Sequence, residues 1–171
     1  DEPPFASGQF PTPSGKCEFY SETLERLGFD PLPTWHPPAE CHESAPDLAA
    51  KFPLQIVTPP GRHFINSTFN EVDSLRAIEA GPHIELSRDD AAARGIENGN
   101  LVRVFNDRGE FEATAVVGES VRPGVAMAPS IWWNRYAGNK GNSNLTASTR
   151  LTDFGGGATF FDNLVEVERV D

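Results

Sequence analysis

Residues 84–117 read IELSRDDAAARGIENGNLVRVFNDRGEFEATAVV. Apolar and polar residues alternate through His83-Ile-Glu-Leu-Ser87, the period of a strand with one buried face. Ser87-Arg-Asp-Asp90 then has the form of a capping box, a hydroxyl followed three residues later by a carboxylate, and predicts a short helix over 89–94. Gly95 ends it. Ala91 and Ala92 are small enough to tuck that helix against a sheet, and Gly95 and Gly99 supply tight reversals. Asn100–Phe105 and Glu110–Val117 are strand-like runs separated by Asn106-Asp-Arg-Gly109, which predicts a hairpin.

Upstream, Phe52–Thr58 reads as a strand with Pro53 tolerated at its start, closed by Pro59-Pro60-Gly61. A loop through Arg62–Asn70 follows, then a helix over 71–80 stopped by Gly81-Pro82. Downstream, Val125–Ala128 and Leu164–Val170 complete the strands. Between them Pro129–Asp162 is rich in Gly, Asn, Ser and Thr, and so long a loop in a small domain points to function. Residues 1–51 are dense in Pro, Gly and Ser, with one helical stretch at Ser21–Leu27 ended by Gly28; they read as an extended arm, leaving 52–171 as the domain. Six or more short strands, brief helices and no βαβ spacing predict a mainly β fold closed into a barrel.

A chain of 171 residues with 38% hydrophobic content buries one sizeable core. A formal net charge of −11 excludes a broad surface for nucleic acid or anionic lipid, which need clustered Lys and Arg, so an anionic ligand must be held by local groups. No apolar run approaches the length that crosses a bilayer, and no membrane partner is expected. Asp1 is not an initiator Met, and the Pro-rich start reads as an excised or processed chain. Cys17 and Cys41 lack CxxC spacing and read as unpaired thiols in a reducing compartment. His36, His42, His63 and His83 show no paired ligand spacing, so no metal site is expected. Asp153-Phe-Gly155 copies the kinase magnesium triplet without its other parts. Asp89, Asp90 and the scattered Glu residues read as helix-start and solvated charges rather than a catalytic pair.

The order strand, capped turn, Gly, hairpin in 84–117 resembles the double-psi β-barrel, the aspartate-decarboxylase-like fold. Three further stretches sharpen the resemblance. FPTPSGKCEFYSETLERLGFDPLPTWHPP at 10–38 looks like a segment linking a catalytic body to a last domain. VTPPGRHFINSTFN at 57–70 looks like a cofactor-contacting loop, and GNSNLTASTRLTDFGGGATFFDNLVEVE at 141–168 like a C-terminal signature. In this order they resemble the C-terminal molybdopterin guanine dinucleotide-binding domain of the dimethyl-sulfoxide-reductase family of molybdopterin oxidoreductases.

In that family two pterin dinucleotides clasp one molybdenum or tungsten, and the last domain closes over both pterins. The resemblance implies that this chain binds that cofactor without doing chemistry alone, the metal being held by the rest of a parent enzyme that performs two-electron redox or oxygen-atom transfer. A cytoplasmic parent is expected, with the periplasm as the alternative. Thr58, Pro60, Gly61, Arg62, His63, Asn66, Ser67 and Thr68 would contact the dinucleotide, Gly61 by letting backbone approach a pyrophosphate and Arg62 by a charge-assisted hydrogen bond. Taken alone, Pro59-Pro60-Gly61 is also an ordinary turn. Asn144 offers an amide to the pterin edge, or caps a turn. Asn144-Leu-Thr146 is also a formal glycosylation sequon. Trp132 and Trp133 fit either stacking on a flat heterocycle or core packing, and Phe160 and Phe161 either a pterin contact or packing. Two other readings stay open. A self-contained decarboxylase or protease barrel lacks its Gly-Ser or Asp-Thr-Gly signature here, and a noncatalytic protein-interaction barrel would show exposed apolar surface.

Overall fold

A computed structural model describes residues 2–170. It divides into two compact units, one ending at His36 and one starting at Pro37. The first is built of turns around a single short helix, α1 (Glu22–Arg26), where the Ser21 hydroxyl accepts from the Leu24 amide at 3.3 Å and Gly28, at φ 81°, follows the last turn. The rings of Phe5 and Phe10 stack 5.0 Å apart in the same unit.

The second unit is the barrel. Its elements are α2 (Pro46–Lys51), β1 (Leu54–Val57), α3 (Asp73–Glu79), β2 (His83–Ser87), α4 (Arg88–Ala92), β3 (Leu101–Phe105), β4 (Glu110–Gly118), β5 (Val125–Met127), 3₁₀ turns at Asn134–Tyr136 and Ser143–Leu145, and β6 (Leu164–Arg169). Six strands close in the order β1-β5-β2-β4-β3-β6. The β1–β5 and β2–β4 pairs are parallel, whereas β1–β6, β2–β5, β3–β4 and β3–β6 are antiparallel. This closed mixed barrel is the double-psi arrangement that residues 84–117 led us to expect.

Period-two patterning decides which side chains point in. Leu54 and Ile56, Ile84 and Leu86, Val102 and Val104, and Val165 and Val167 fill the interior as branched residues. Ala113, Ala115, Ala126 and Ala128 share that interior, so small residues face bulky ones where the strands crowd. Each buried Val, Leu or Ile contributes about 1.5–3 kcal/mol relative to exposure, which makes this interior the main source of barrel stability.

The expected cap on α4 is present and does more than cap. Ser87 Oγ accepts from the Asp90 amide at 3.1 Å and donates to Asp90 Oδ2 at 2.6 Å, while Asp90 Oδ2 also accepts from the Gly124 amide at 2.9 Å. Asp90 is therefore half-buried and tied to the turn before β5, not solvated. Ala91 seals the helix on the barrel, but Ala92 is exposed, because the five-residue helix turns only one small side chain inward. A second difference lies upstream. Residues 46–51, read as part of an extended arm, form α2, started by Pro46 at its first turn; Ala49, Phe52 and Leu164 pack together there. Cys17 and Cys41 are both free, and no helix among the described residues is long and apolar enough to cross a membrane.

Replacing Ser87 by Ala should lower the unfolding free energy by about 1–2 kcal/mol, the loss of an N-cap that also orients Asp90. Urea denaturation checks it, and an unchanged midpoint would mean that Asp90 caps the helix unaided.

Candidate cofactor-binding site

β1 and β5 run parallel, so the loops that leave their C-terminal ends emerge together. Pro59 O accepts from the Ser130 amide at 2.8 Å and Ser130 Oγ accepts from the Gly61 amide at 2.6 Å, stitching the two loops. Gly61 is buried, and a Cβ there would stand 2.3 Å from Ser130 Oγ and 3.2 Å from Glu79 Oε2. The glycine is thus needed for close approach within the protein, and its amide is already engaged. Glu79, at the end of α3, accepts from both the His63 amide at 2.7 Å and His63 Nδ1 at 2.8 Å through the same oxygen. This carboxylate is mostly buried, not solvated.

Beyond His63 the chain makes a small hairpin, Ile65 bridging to Thr68 with Asn66 at φ 52°. Arg62, Asn66, Ser67 and Thr68 are exposed on it, as is Pro60, while Thr58 and His63 are half-buried. Structure separates the two tryptophans. Trp132 is buried edge-on against Phe64, centroids 5.1 Å apart, which is core packing. Trp133 is exposed, donates from Nε1 to Ser67 O at 2.6 Å, and stacks on Tyr136 at 5.9 Å. The Arg135 guanidinium lies over both rings, at 4.7 and 4.6 Å, and Arg76 over Tyr136 at 4.0 Å. Asn70, fully buried, accepts from the Trp133 amide at 3.0 Å through Oδ1, and its Nδ2 is buried without a hydrogen-bond partner.

Asn144 lies one wall further along. The 3₁₀ turn that carries it starts at Asn142, whose Oδ1 accepts from the Asn144 amide at 3.1 Å, so Asn142 does the capping and the exposed Asn144 side chain is spared for other contacts. Ser143 faces a narrow cleft that also contacts His83, Ser130 and Trp132, and its buried Oγ has no hydrogen-bond partner. Asn144 lines a separate open groove with Ser148, Thr149, Thr159 and Phe160. Phe160 and Phe161 are both exposed. Of the residues singled out from sequence, the loop 58–68 with Trp133 therefore forms one surface, Asn144 with Phe160 a second, and Trp132 belongs to the core.

The sequence reading missed three things. Ser130 and Glu79, which shape the first loop, carry no local signal because their partners lie 69 and 16 residues away. Glu40 and Arg108 form a bidentate pair, 2.6 and 2.8 Å, across 68 residues, and Glu40 is buried where a solvated carboxylate was expected. Charge is also distributed unevenly. Arg88, Arg94, Arg103 and Arg108 pair with carboxylates, whereas Arg62, Arg122, Arg135 and Arg150 take part in no ion pair among the described residues, and all of these but Arg122 lie in or beside the candidate loops. Local positive charge in an acidic chain is thus left beside the candidate loops. Among the described residues no group of three or more His, Cys, Asp or Glu could hold a metal ion.

Two glycines let the Asn144 turn press onto the hairpin. A Cβ on Gly141, at φ 86°, would stand 2.7 Å from Glu110 O, and one on Gly109 2.8 Å from Leu145 O. Gly141→Ala should cost about 3 kcal/mol, strain and clash together. Gly138→Ala, at φ 63° with its nearest contact at 3.8 Å, should cost only about 1 kcal/mol. Paired thermal unfolding curves check the contrast, and equal losses would discount the crowding at Gly141.

Comparison with known proteins bears on what these loops serve. The family model described as "Molydopterin dinucleotide binding domain" matches residues 54–164. The chain is 40% identical over 169 residues to the probable oxidoreductase YoaE of Bacillus subtilis, covering 99% of this chain and 24% of that protein. It is 33% identical over 173 residues to the dimethyl sulfoxide reductase DmsA of Escherichia coli, covering 93% of this chain and 21% of that one. The match to the dimethyl sulfoxide/trimethylamine N-oxide reductase of Cereibacter sphaeroides is 39% over 127 residues, 71% of this chain and 15% of the other. The chain thus spans a quarter or less of the length of these relatives. Its fold superimposes on part of acetylene hydratase from Pelobacter acetylenicus with a TM-score of 0.81 at 23% identity, covering 99% of this chain and 25% of that one. On this match, which runs from β1 to the start of β6, the chain belongs to the molybdopterin dinucleotide-binding domain family, the C-terminal domain type of dimethyl-sulfoxide-reductase-related oxidoreductases.

Proposed function

We propose that this domain holds a molybdopterin guanine dinucleotide within a longer molybdenum- or tungsten-dependent oxidoreductase, and that it positions the cofactor without catalysing a reaction alone. The family match over residues 54–164 is the observation that carries this reading. The donor set fits such a ligand. A pyrophosphate needs N–H donors and local positive charge, and a pterin or guanine edge needs groups that both donate and accept. Exposed Arg62, Ser67 and Thr68 meet the first need, and Asn144, Ser148, Thr149 and Thr159 the second. The unpartnered Asn70 Nδ2 and Ser143 Oγ lie in these same two loops.

Within this reading Arg62 supplies a charge-assisted hydrogen bond to phosphate, and Asn144 reads the flat heterocycle through its amide. His63, held by Glu79, fixes the shape of the loop, and Trp133 walls it through its bond to Ser67 O. The bound cofactor would carry the two-electron or oxygen-atom chemistry at a metal held elsewhere in the parent. Leu151, Phe154, Phe160 and Phe161, exposed on the excursion before β6, would be covered by the remainder of that parent. Two free thiols fit a reducing compartment, the cytoplasm. The same apolar excursion favours a second reading, a noncatalytic protein-interaction barrel.

Acid hydrolysis of the full-length parent, made in a host that synthesises the cofactor, should release guanine nucleotide and metal at about two to one. Arg62→Ala and Asn144→Ala should each lower that nucleotide content. Absence of both nucleotide and metal from the parent would discard the cofactor reading in favour of the interaction barrel.

A further inference from the structure

The groove between Asn144 and Phe160 has two walls, and both are tied to one ion pair. One wall is the turn Ser143–Leu145. It ends on Thr146, fully buried, whose carbonyl accepts from Arg108 Nε at 2.7 Å and from Asn106 Nδ2 at 2.9 Å. The Thr146 hydroxyl donates to Ser143 O at 2.9 Å and accepts from Asn163 Nδ2 at 3.0 Å. The other wall approaches β6 through Asp162 and Asn163. Asn163 Oδ1 accepts from a terminal nitrogen of Arg108 at 3.0 Å, and the Asp162 carboxylate accepts from the Ala39 amide at 3.1 Å and from the Glu40 amide. Phe161 O accepts from Gln55 Nε2 at 2.5 Å, anchoring the same wall to β1.

Arg108 stands at the centre. Its planar fork donates twice to Glu40, once to Thr146 O and once to Asn163 Oδ1. Those bonds need several donors in one rigid plane, which an arginine has and a lysine ammonium on a flexible stem does not. Arg108 itself lines neither the groove nor the first loop.

We propose that Arg108, clamped by Glu40, is a positioning residue that holds the Asn144 turn in register with the Phe160–Asn163 wall and so sets the groove's geometry. The inference rests on the cofactor reading only for its functional consequence; the positioning itself is testable without any ligand.

The test has two arms. In the first, the backbone and side-chain amide resonances of Asn144 are followed by NMR in the isotope-labelled chain. They should move in Arg108→Met and in Arg108→Lys, and stay in place in Ile84→Val, which weakens the barrel interior away from the groove. Should Arg108→Met fail to fold, Arg108→Lys and Glu40→Gln carry the same measurement. In the second arm, guanine nucleotide retained by the full-length holoprotein is followed after dilution. Arg108→Met should speed its release about tenfold in the native background and less than about twofold once Asn144 is already Ala, the non-additivity of residues acting through one another. Unmoved Asn144 resonances, or a full tenfold effect in the Asn144→Ala background, overturns the proposal. If Asn144 moves but neither variant alters retention, the positioning role stands and the assignment of Asn144 to the cofactor falls.

Discussion

The guanidinium of Arg108 is where the barrel and its long loops are joined. It sits in the turn of the β3–β4 hairpin and reaches the Thr146 carbonyl and the Asn163 amide. The Arg108 side chain stays a third exposed, but the Glu40 carboxylate and the Thr146 carbonyl are buried, and without Arg108 each would lose a charged donor. The residues around it bear the same stamp. Asn106, Thr146 and Asn163 bond to one another and to backbone, so the network is closed rather than strung out toward water. A long Gly- and Asn-rich segment with little regular secondary structure acquires a fixed path in this way.

The opposite loop is organised by a different device. There the barrel's parallel β1–β5 pair delivers two loops side by side, and Ser130 and Glu79 hold them through the Gly61 amide and His63. Close backbone approach replaces charge. The 129–145 segment runs past both surfaces: its Ser130, Trp132 and Ser143 line one cleft, and its Asn144 lines the second groove. Polar groups that the protein leaves without partners, Asn70 Nδ2 and Ser143 Oγ, lie on this shared segment or against it, and that is where a polar ligand or ordered water would satisfy them.

Much of the fold was legible because its signals are local. His83–Ser87 and Leu101–Val117 announce themselves by period-two alternation, and the Ser87 cap and the turn at 106–109 by residue types that only certain backbone shapes favour. Helix α2 escaped notice because six residues among prolines give no periodicity, and its stability comes from Ala49 and Phe52 packing on Leu164, over a hundred residues away. Trp132 and Trp133 show the same limit. Adjacent and chemically identical, they divide because Trp132 turns in against Phe64 whereas Trp133 turns out toward Ser67 O and Tyr136.

By itself, then, the sequence determined the barrel's strands, their inward faces, the capped α4 turn and the family to which the loops belong, since each is written in neighbouring residues. Tertiary structure alone decided that Gly61's amide is spent on Ser130, that Glu79 holds His63, and that Arg108 and Glu40 meet across 68 residues. The physical reason is that backbone periodicity and capping act over a few residues, whereas a hydrogen bond between side chains far apart in the chain exists only after the barrel has closed and brought its ends together.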